Sequence, residues 1–432
     1  MMNSKLTYSK INIADIKIKK SASNLVYIQL VYICFVFFLI DVLHFPSGFT
    51  YITDIIMVLS FLYSFGKVQK SISYAKAKVQ FYLIVAITLC MCIGAFINFV
   101  NPALFVWGLR NNLRFYIFFI SCVTLLEIKD ISNIYKIFIV VFWANIVVSS
   151  YQYFILGIKQ DYLGGLFGIT QGCNAYSVVM INIVMAYKLR NISSSKSSIL
   201  KLLIYIIASL YLATLAELKV VYVELIVILV LSLFSKKPNL KTIAVIVFGI
   251  IGLIIGVLLL NYFDPNSLAM FLDPDSLDHY LNGEGYTGSG DLNRFTAVSQ
   301  IYEMFFKNDF IRTLFGFGLG SCDTSRFSFF QSDFFNRYEY LHYRWFTQAW
   351  VFLEQGAVGL ILLVLFIVAI IVYCLKHRKR YDTNNYMYST FLFAVTTIIG
   401  IIYNVVLQIE ACYLIAFVLA VPFIIVKSNN QK

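Results

Sequence analysis

Charge is what this chain has least of. Only 13% of its 432 residues are charged, 60% are hydrophobic, and the mean hydropathy is +0.79. Soluble domains carry about 25% charged residues, so a soluble globular fold is excluded. Metal-ligand spacing is missing as well. The eight cysteines (34, 90, 92, 122, 173, 322, 374, 412) are scattered through apolar runs, with no CxxC and no Cys/His pattern. They read as small core residues; a Cys173–Cys322 disulfide stays open if both lie outside. There is no Walker motif and no Ser/His/Asp arrangement, so the chain reads as independent of metal, ATP and cofactor. The N-terminus lacks the short apolar core and cleavage site of a signal peptide. Histidine occurs only 4 times. The net charge of +12 does not indicate a nucleic-acid partner, because positive charge collects in the cytoplasmic loops of membrane proteins.

What is abundant is apolar sequence in runs long enough to cross about 30 Å of hydrocarbon. The expected fold is all-α and polytopic, with about 12 transmembrane helices. They fall near 24–44, 49–66, 80–98, 103–126, 134–156, 173–188, 199–217, 218–234, 241–262, 346–375, 386–406 and 409–426. Three parts follow: a membrane domain of about nine spans over 1–262, a polar loop over 263–344, and a C-terminal membrane segment of about three spans over 345–432. Alternate connections hold 23 of the 34 Lys and Arg residues, which makes them cytoplasmic. The opposite set, outside the long loop, holds only Lys159 and Lys219. Both termini are therefore expected in the cytoplasm, and the loop outside.

Between Lys201 and Lys236 the two expected spans are separated only by Ala216-Glu-Leu-Lys219, and both flanks are basic. As helix at about 1.5 Å per residue this stretch is two crossings long. The chain must turn outside near Glu217 and Lys219, placing both on the side of the long loop. Within the loop, 261–286 reads as irregular. Asp291–Lys307 reads as a helix capped by Asp291 or Asn293. The aromatic stretch 327–340 reads as lying flat at the bilayer interface, and Trp345–Gly359 as an apolar helix.

A charge inside a membrane is costly and is a functional hypothesis by default. Arg110 and Arg114 lie four apart on one helical face. They either snorkel or pair with an acid such as Asp41 or Asp54, or they form a cationic site for a lipid-linked phosphate. Lys219 is either half of a local ion pair with Glu217 or a second phosphate-binding cation. Arg294 follows glycines that allow close backbone approach to a ligand. His342 stands beside Arg344 at the entry to a span on the outer face, whereas His44, His279 and His377 call for no role.

The order of these features resembles the superfamily of bacterial O-antigen polymerases and O-antigen ligases, integral membrane glycosyltransferases. The stretches that carry the resemblance are Gly164–Asn174, Leu215-Ala-Glu-Leu-Lys219, Gly290-Asp-Leu-Asn-Arg294 with Leu314-Phe-Gly-Phe-Gly-Leu-Gly320, and Leu341-His342 through Gln348, Glu354 and Gly356 to Gly359. Tyr343 stands where the family pattern has Asn, and Lys219 where Arg is commoner. The resemblance implies a GT-C-like fold in the bacterial cytoplasmic membrane. It implies a polymerase of undecaprenyl-diphosphate-linked oligosaccharide repeat units on the outer face, for O-antigen, capsule or exopolysaccharide. Lys219 and Arg294 would stabilise the departing diphosphate, helped by Arg110 or Arg114, and Arg344 would bind substrate. His342 would be the base, with Glu217 as substitute. Tyr340 and Tyr343 would stack on sugars. The implied partners are the lipid-linked oligosaccharide, the bilayer, a chain-length regulator and a flippase. Ligase-type transfer of a finished glycan is the alternative, and a polysaccharide transporter or flippase the second alternative.

Overall fold

A chain this apolar can hide its backbone polarity from lipid only by forming helices. Every regular element among the described residues of the computed structural model is helical. Those residues are 13–190, 196–233, 240–263, 265, 272–283, 285, 290–325 and 327–431. Gly288 and Ser289, the start of the block that ends at Arg294, lie outside them. So do three stretches counted as cytoplasmic: 1–12, 191–195 and 234–239.

The first half runs α1 (Ile13–Phe37), α2 (Ile52–Phe65), α3 (Val68–Ala75), α4 (Lys78–Ile97), α5 (Pro102–Leu125) and α6 (Ile128–Phe154). It continues with α7 (Asn174–Leu189), α8 (Lys196–Leu215), α9 (Lys219–Leu233) and α10 (Leu240–Phe263). Among the described residues the polar loop holds the short α-helices α11 (Pro274–Asn282), α12 (Ala297–Ile301), α13 (Phe310–Phe315) and α14 (Asp333–Tyr338). The chain closes with α15 (Thr347–Tyr381), α16 (Tyr386–Tyr403) and α17 (Cys412–Asn430).

The protein is a helical membrane protein. Seven helical stretches among the described residues are long and apolar enough to cross a bilayer: Ala22–Val42, Ser47–Phe65, Lys78–Ile97, Ile128–Phe154, Thr347–Tyr381, Tyr386–Tyr403 and Cys412–Asn430. The expectation of twelve counted further helices that fall short of that measure. Helix α5 carries Arg110 and Arg114, while α7 and α9 have only 16 and 15 residues, against about 20 for a full crossing.

Helix α17 is the centre of the bundle. It is buried continuously from Cys412 through Lys427, as a helix that is apolar all round must be. Its packing partners include α5, α16, α3 and α15. Near its end the buried Lys427 ammonium donates to the carbonyls of Val123, Thr124 and Leu126, at 2.6, 2.9 and 2.7 Å. These are terminal carbonyls of α5 that have no partner within their own helix. The start of α5 is also sealed: Pro102 takes the first position, and the Asn101 side chain accepts from the Ala103 amide.

The loop departs from its sequence reading in two places. Residues 261–286 are not wholly irregular, because α10 reaches Phe263 and α11 follows. The Asp273 carboxylate accepts from the Ser276 amide at 3.1 Å and Pro274 opens the helix, a start signal that the surrounding polar residues obscured. The helix expected over Asp291–Lys307 shrinks to α12 plus a wider turn over Tyr302–Phe306. The helix's cap position is Thr296; Asp291 and Asn293 are buried, and the Asn293 side chain accepts from the Phe295 amide and donates to the Tyr280 carbonyl, each at 2.9 Å. The aromatic stretch holds α14, and Phe330 stacks on Trp107 of α5 at 4.9 Å. No disulfide joins Cys173 to Cys322, since both are free thiols buried in different surroundings.

Two glycines seat the loop against α15. Gly316 has φ 66 and Gly356 has φ 64, a left-handed conformation that side chains disfavour. A Cβ on Gly316 would strike the Leu353 carbonyl, and one on Gly356 the Leu314 carbonyl. Helix α15 breaks its helical geometry at Gly356, and the Phe317 amide donates to the Leu353 carbonyl at 2.7 Å.

The Lys427 contact is testable. Lys427→Met keeps the apolar length but leaves three buried carbonyls of α5 without a donor. The expected loss is about 3 kcal/mol or more, read as a drop of several degrees in the melting temperature of the solubilised protein. An unchanged melting temperature contradicts the capping role.

Candidate functional site

Helices α8 and α9 form a hairpin that turns at Ala216–Leu218. The Leu218 amide donates to the Ala213 carbonyl at 2.8 Å, and Glu217 adopts φ 53. The Asn174 side chain, at the start of α7, donates to the Ala216 carbonyl at 3.2 Å and to the Asp161 carboxylate at 3.0 Å. These bonds fix where Glu217 and Lys219 point. Among the described residues no carboxylate forms an ion pair with the Lys219 ammonium, so the local pair with Glu217 does not form.

Arg294 arrives from the polar loop. Its backbone is held by a bond from the Leu292 amide to the Leu341 carbonyl at 3.0 Å, and by the Gln348 side chain, which donates to the Arg294 carbonyl. Its guanidinium carbon stands 3.9 Å from the Tyr403 ring centroid, 5.5 Å from that of Phe346 and 5.8 Å from that of Tyr280. The Lys219 ammonium stands 5.8 Å from the same Tyr280 ring. The two cations are therefore no more than twice that distance apart, and the Tyr280 ring is in contact with both.

Together these residues line a cavity of about 710 Å³. Glu217, Lys219 and Arg294 share its wall with Asp161, Tyr176, Trp345 and Glu410. The volume is in the usual range for ligand sites of roughly 300–1,000 Å³. Two fixed cations among aromatic faces in a partly enclosed space suit an anion carrying an apolar or sugar moiety. Among the described residues no cluster of three or more His, Cys, Asp or Glu could hold a metal ion.

Arg114 does not line the cavity; it supports one of the residues that do. Its guanidinium pairs with the Glu410 carboxylate at 2.8 Å and also donates to the Gln408 carbonyl. The other oxygen of Glu410 accepts from the Tyr176 hydroxyl at 3.1 Å. Arg110 lies outside as well. It pairs with Asp54 at 2.6 Å and stacks against Tyr51 and Trp107. The pairing reading of Arg110 is the one the structure contains.

His342 opens on a second cavity, of about 250 Å³, with Phe335, Glu339, Arg344 and Trp350. Its ring lies parallel to that of Trp345, 2° from coplanar with centroids 4.0 Å apart. Trp345, Val405 and Ile409 line both cavities, so the two adjoin. The Arg344 guanidinium stands 4.4 Å from the Trp350 ring and 3.7 Å from Asp323. Burial raises the Asp323 carboxyl above the ordinary carboxylate value, against the opposing pull of Arg344. Tyr343 is buried, and its hydroxyl donates to the Cys322 carbonyl at 2.6 Å. It braces the loop core and forms part of the wall of the smaller cavity. Tyr340 is exposed and lines neither cavity.

Sequence reasoning missed Glu410, Tyr176, Tyr280 and Tyr403. Glu410 was detectable, because a carboxylate at the start of the last apolar run is costly unless matched. The tyrosines carried no signal. No family model matches the chain, and no curated protein matches it either.

The Arg114–Glu410 pair can be tested by a double-mutant cycle. Arg114→Gln leaves a buried carboxylate unmatched, at a cost of about 3–5 kcal/mol. Arg114→Gln with Glu410→Gln should recover much of the lost melting temperature. Equal damage in the single and double variants, or none in the single, rules out a coupled pair.

Proposed function

We propose that the chain is a metal-independent glycosyltransferase that polymerises undecaprenyl-diphosphate-linked oligosaccharide repeat units on the outer face of the bacterial cytoplasmic membrane. The observation that carries this reading is the convergence of Glu217, Lys219 and Arg294 on one cavity. They come from a helical hairpin and a distant loop, and those are the stretches that resemble the polymerase and ligase superfamily. The reading keeps both termini in the cytoplasm and counts about twelve crossings, the shorter helices included.

The chemistry asks for two opposed sides. In a single displacement the acceptor hydroxyl oxygen forms a bond to the anomeric carbon while the bond from that carbon to the phosphate oxygen breaks. Nucleophile and leaving group stand on opposite faces of the sugar. The departing diphosphate takes the electron pair, and Lys219 and Arg294 stabilise its charge in the larger cavity. The hydroxyl proton passes to a base on the other side. His342 stands there, in the adjoining cavity across Trp345. Glu217, two residues from Lys219, is on the leaving-group side. Arg344 and the exposed aromatic edges of the smaller cavity receive the acceptor sugar. Arg110 and Arg114 act as structural ion pairs and leave the phosphate role to Lys219 and Arg294.

Sizing the surface glycan made by chromosomal variants tests this. Lys219→Ala and Arg294→Ala should reduce the product to single repeat units at normal protein level. Arg294→Lys should restore only part, because a point charge cannot reproduce a two-pronged contact. His342→Gln should lose about a hundredfold in rate, the ordinary scale of a general base, and Glu217→Gln much less. The reverse order would move the base to Glu217. Full-length polymer from both alanine variants would sink the assignment. Finished lipid-linked chains left unattached would identify a ligase instead.

A further inference from the structure

Beneath the larger cavity lies a much smaller chamber, of about 20 Å³, between α7, α9 and α16. Its wall includes Asn182, Glu224, Thr396 and Thr397, and it shares Val178 and Asn404 with the cavity above. Glu224 is 1% exposed, and among the described residues no basic side chain pairs with it. Its carboxylate accepts from the Asn182 amide nitrogen at 2.8 Å.

That bond turns the amide oxygen of Asn182 away, and this buried oxygen meets no donor. The hydroxyls of Thr396 and Thr397 both donate to the Phe393 carbonyl, each at 2.9 Å. Their hydrogens are spent, and their lone pairs remain. The chamber thus collects oxygen acceptors around the Glu224 carboxyl group. An isolated carboxylate in an apolar interior takes up either a proton or a matching cation. A water molecule has two hydrogens to offer several acceptors and no charge to balance the carboxylate. Carboxylate, amide and hydroxyl oxygens are hard ligands, suited to hard cations. The single carboxylate balances one positive charge, and the space fits one body the size of a water molecule.

We propose that this chamber binds one sodium-sized monovalent cation through the oxygens of Glu224, Asn182, Thr396 and Thr397. The ion joins three helices that each send residues to the larger cavity: Asn174 from α7, Lys219 from α9 and Tyr403 from α16. It sets the spacing of those residues from below.

The test is thermal and does not depend on glycosyl transfer. The full-length protein in nanodiscs is melted at constant ionic strength in sodium, potassium or choline chloride, with tryptophan fluorescence as the readout. Sodium should raise the melting temperature by several degrees in a saturable way, because an ion that binds only the folded state stabilises it; potassium and choline should not. Glu224→Gln should abolish the sodium response. Thr397→Val, which removes one ligand, should move its midpoint to roughly tenfold higher sodium. Identical melting in the three salts overturns the proposal, and so does a full sodium response in Glu224→Gln. If Glu224→Gln does not fold, an unchanged sodium midpoint in Thr397→Val overturns it.

Discussion

A charge inside a bilayer must find its counter-charge within the protein, and that constraint organises this molecule. Helix α5 carries two guanidinium groups through an apolar bundle. Arg110 finds Asp54 on α2, and Arg114 finds Glu410 just before α17. At the far end of α5 the Lys427 ammonium closes the helix from α17. The Arg114 and Lys427 contacts hold the middle and the end of α5 against the two ends of the central helix. The pairing also orients Glu410, which shares its second oxygen with Tyr176 on the wall of the larger cavity. The same electrostatic bookkeeping singles out the chamber below, where the Glu224 carboxylate has no basic partner among the described residues.

Against this fixed frame the cations of the larger cavity differ in kind. Arg294 rests on aromatic faces, and Lys219 forms no ion pair among the described residues. Aromatic faces hold a cation in place. Carboxylates hold Arg110 and Arg114, whereas the rings of Tyr280, Phe346 and Tyr403 stand around Arg294 and that of Tyr280 reaches Lys219.

Much of the architecture was legible in the sequence. Helix length per residue alone required a turn near Glu217, and the structure turns at Ala216–Leu218. The cost of intramembrane charge offered Asp41 or Asp54 as partners for Arg110 and Arg114, and Asp54 is the one that Arg110 finds. Other features were hidden because they depend on contacts distant in sequence. Glu410 lies 296 positions from Arg114, and no local pattern joins them. Tyr280 and Tyr403 meet at 3.0 Å through their hydroxyls across the loop and α16. The helix at Pro274–Asn282 was masked by polar neighbours, although Asp273-Pro274 is an ordinary helix start. The longer helix expected from Asp291 fails because Asp291 and Asn293 are drawn into the loop core. Gly316 fell in a glycine run and Gly356 inside the expected helix Trp345–Gly359, and their mutual fit appears only when both backbones are seen together.

The central claim is that the larger cavity holds a lipid diphosphate from which a glycan is transferred. Its most direct test is the purified protein in nanodiscs supplied only with undecaprenyl-diphosphate-linked repeat units, without nucleotide or added divalent metal. The account predicts glycans of two or more repeats, with one molecule of undecaprenyl diphosphate released for each new linkage. Repeat units that stay single, with no undecaprenyl diphosphate released, would contradict it.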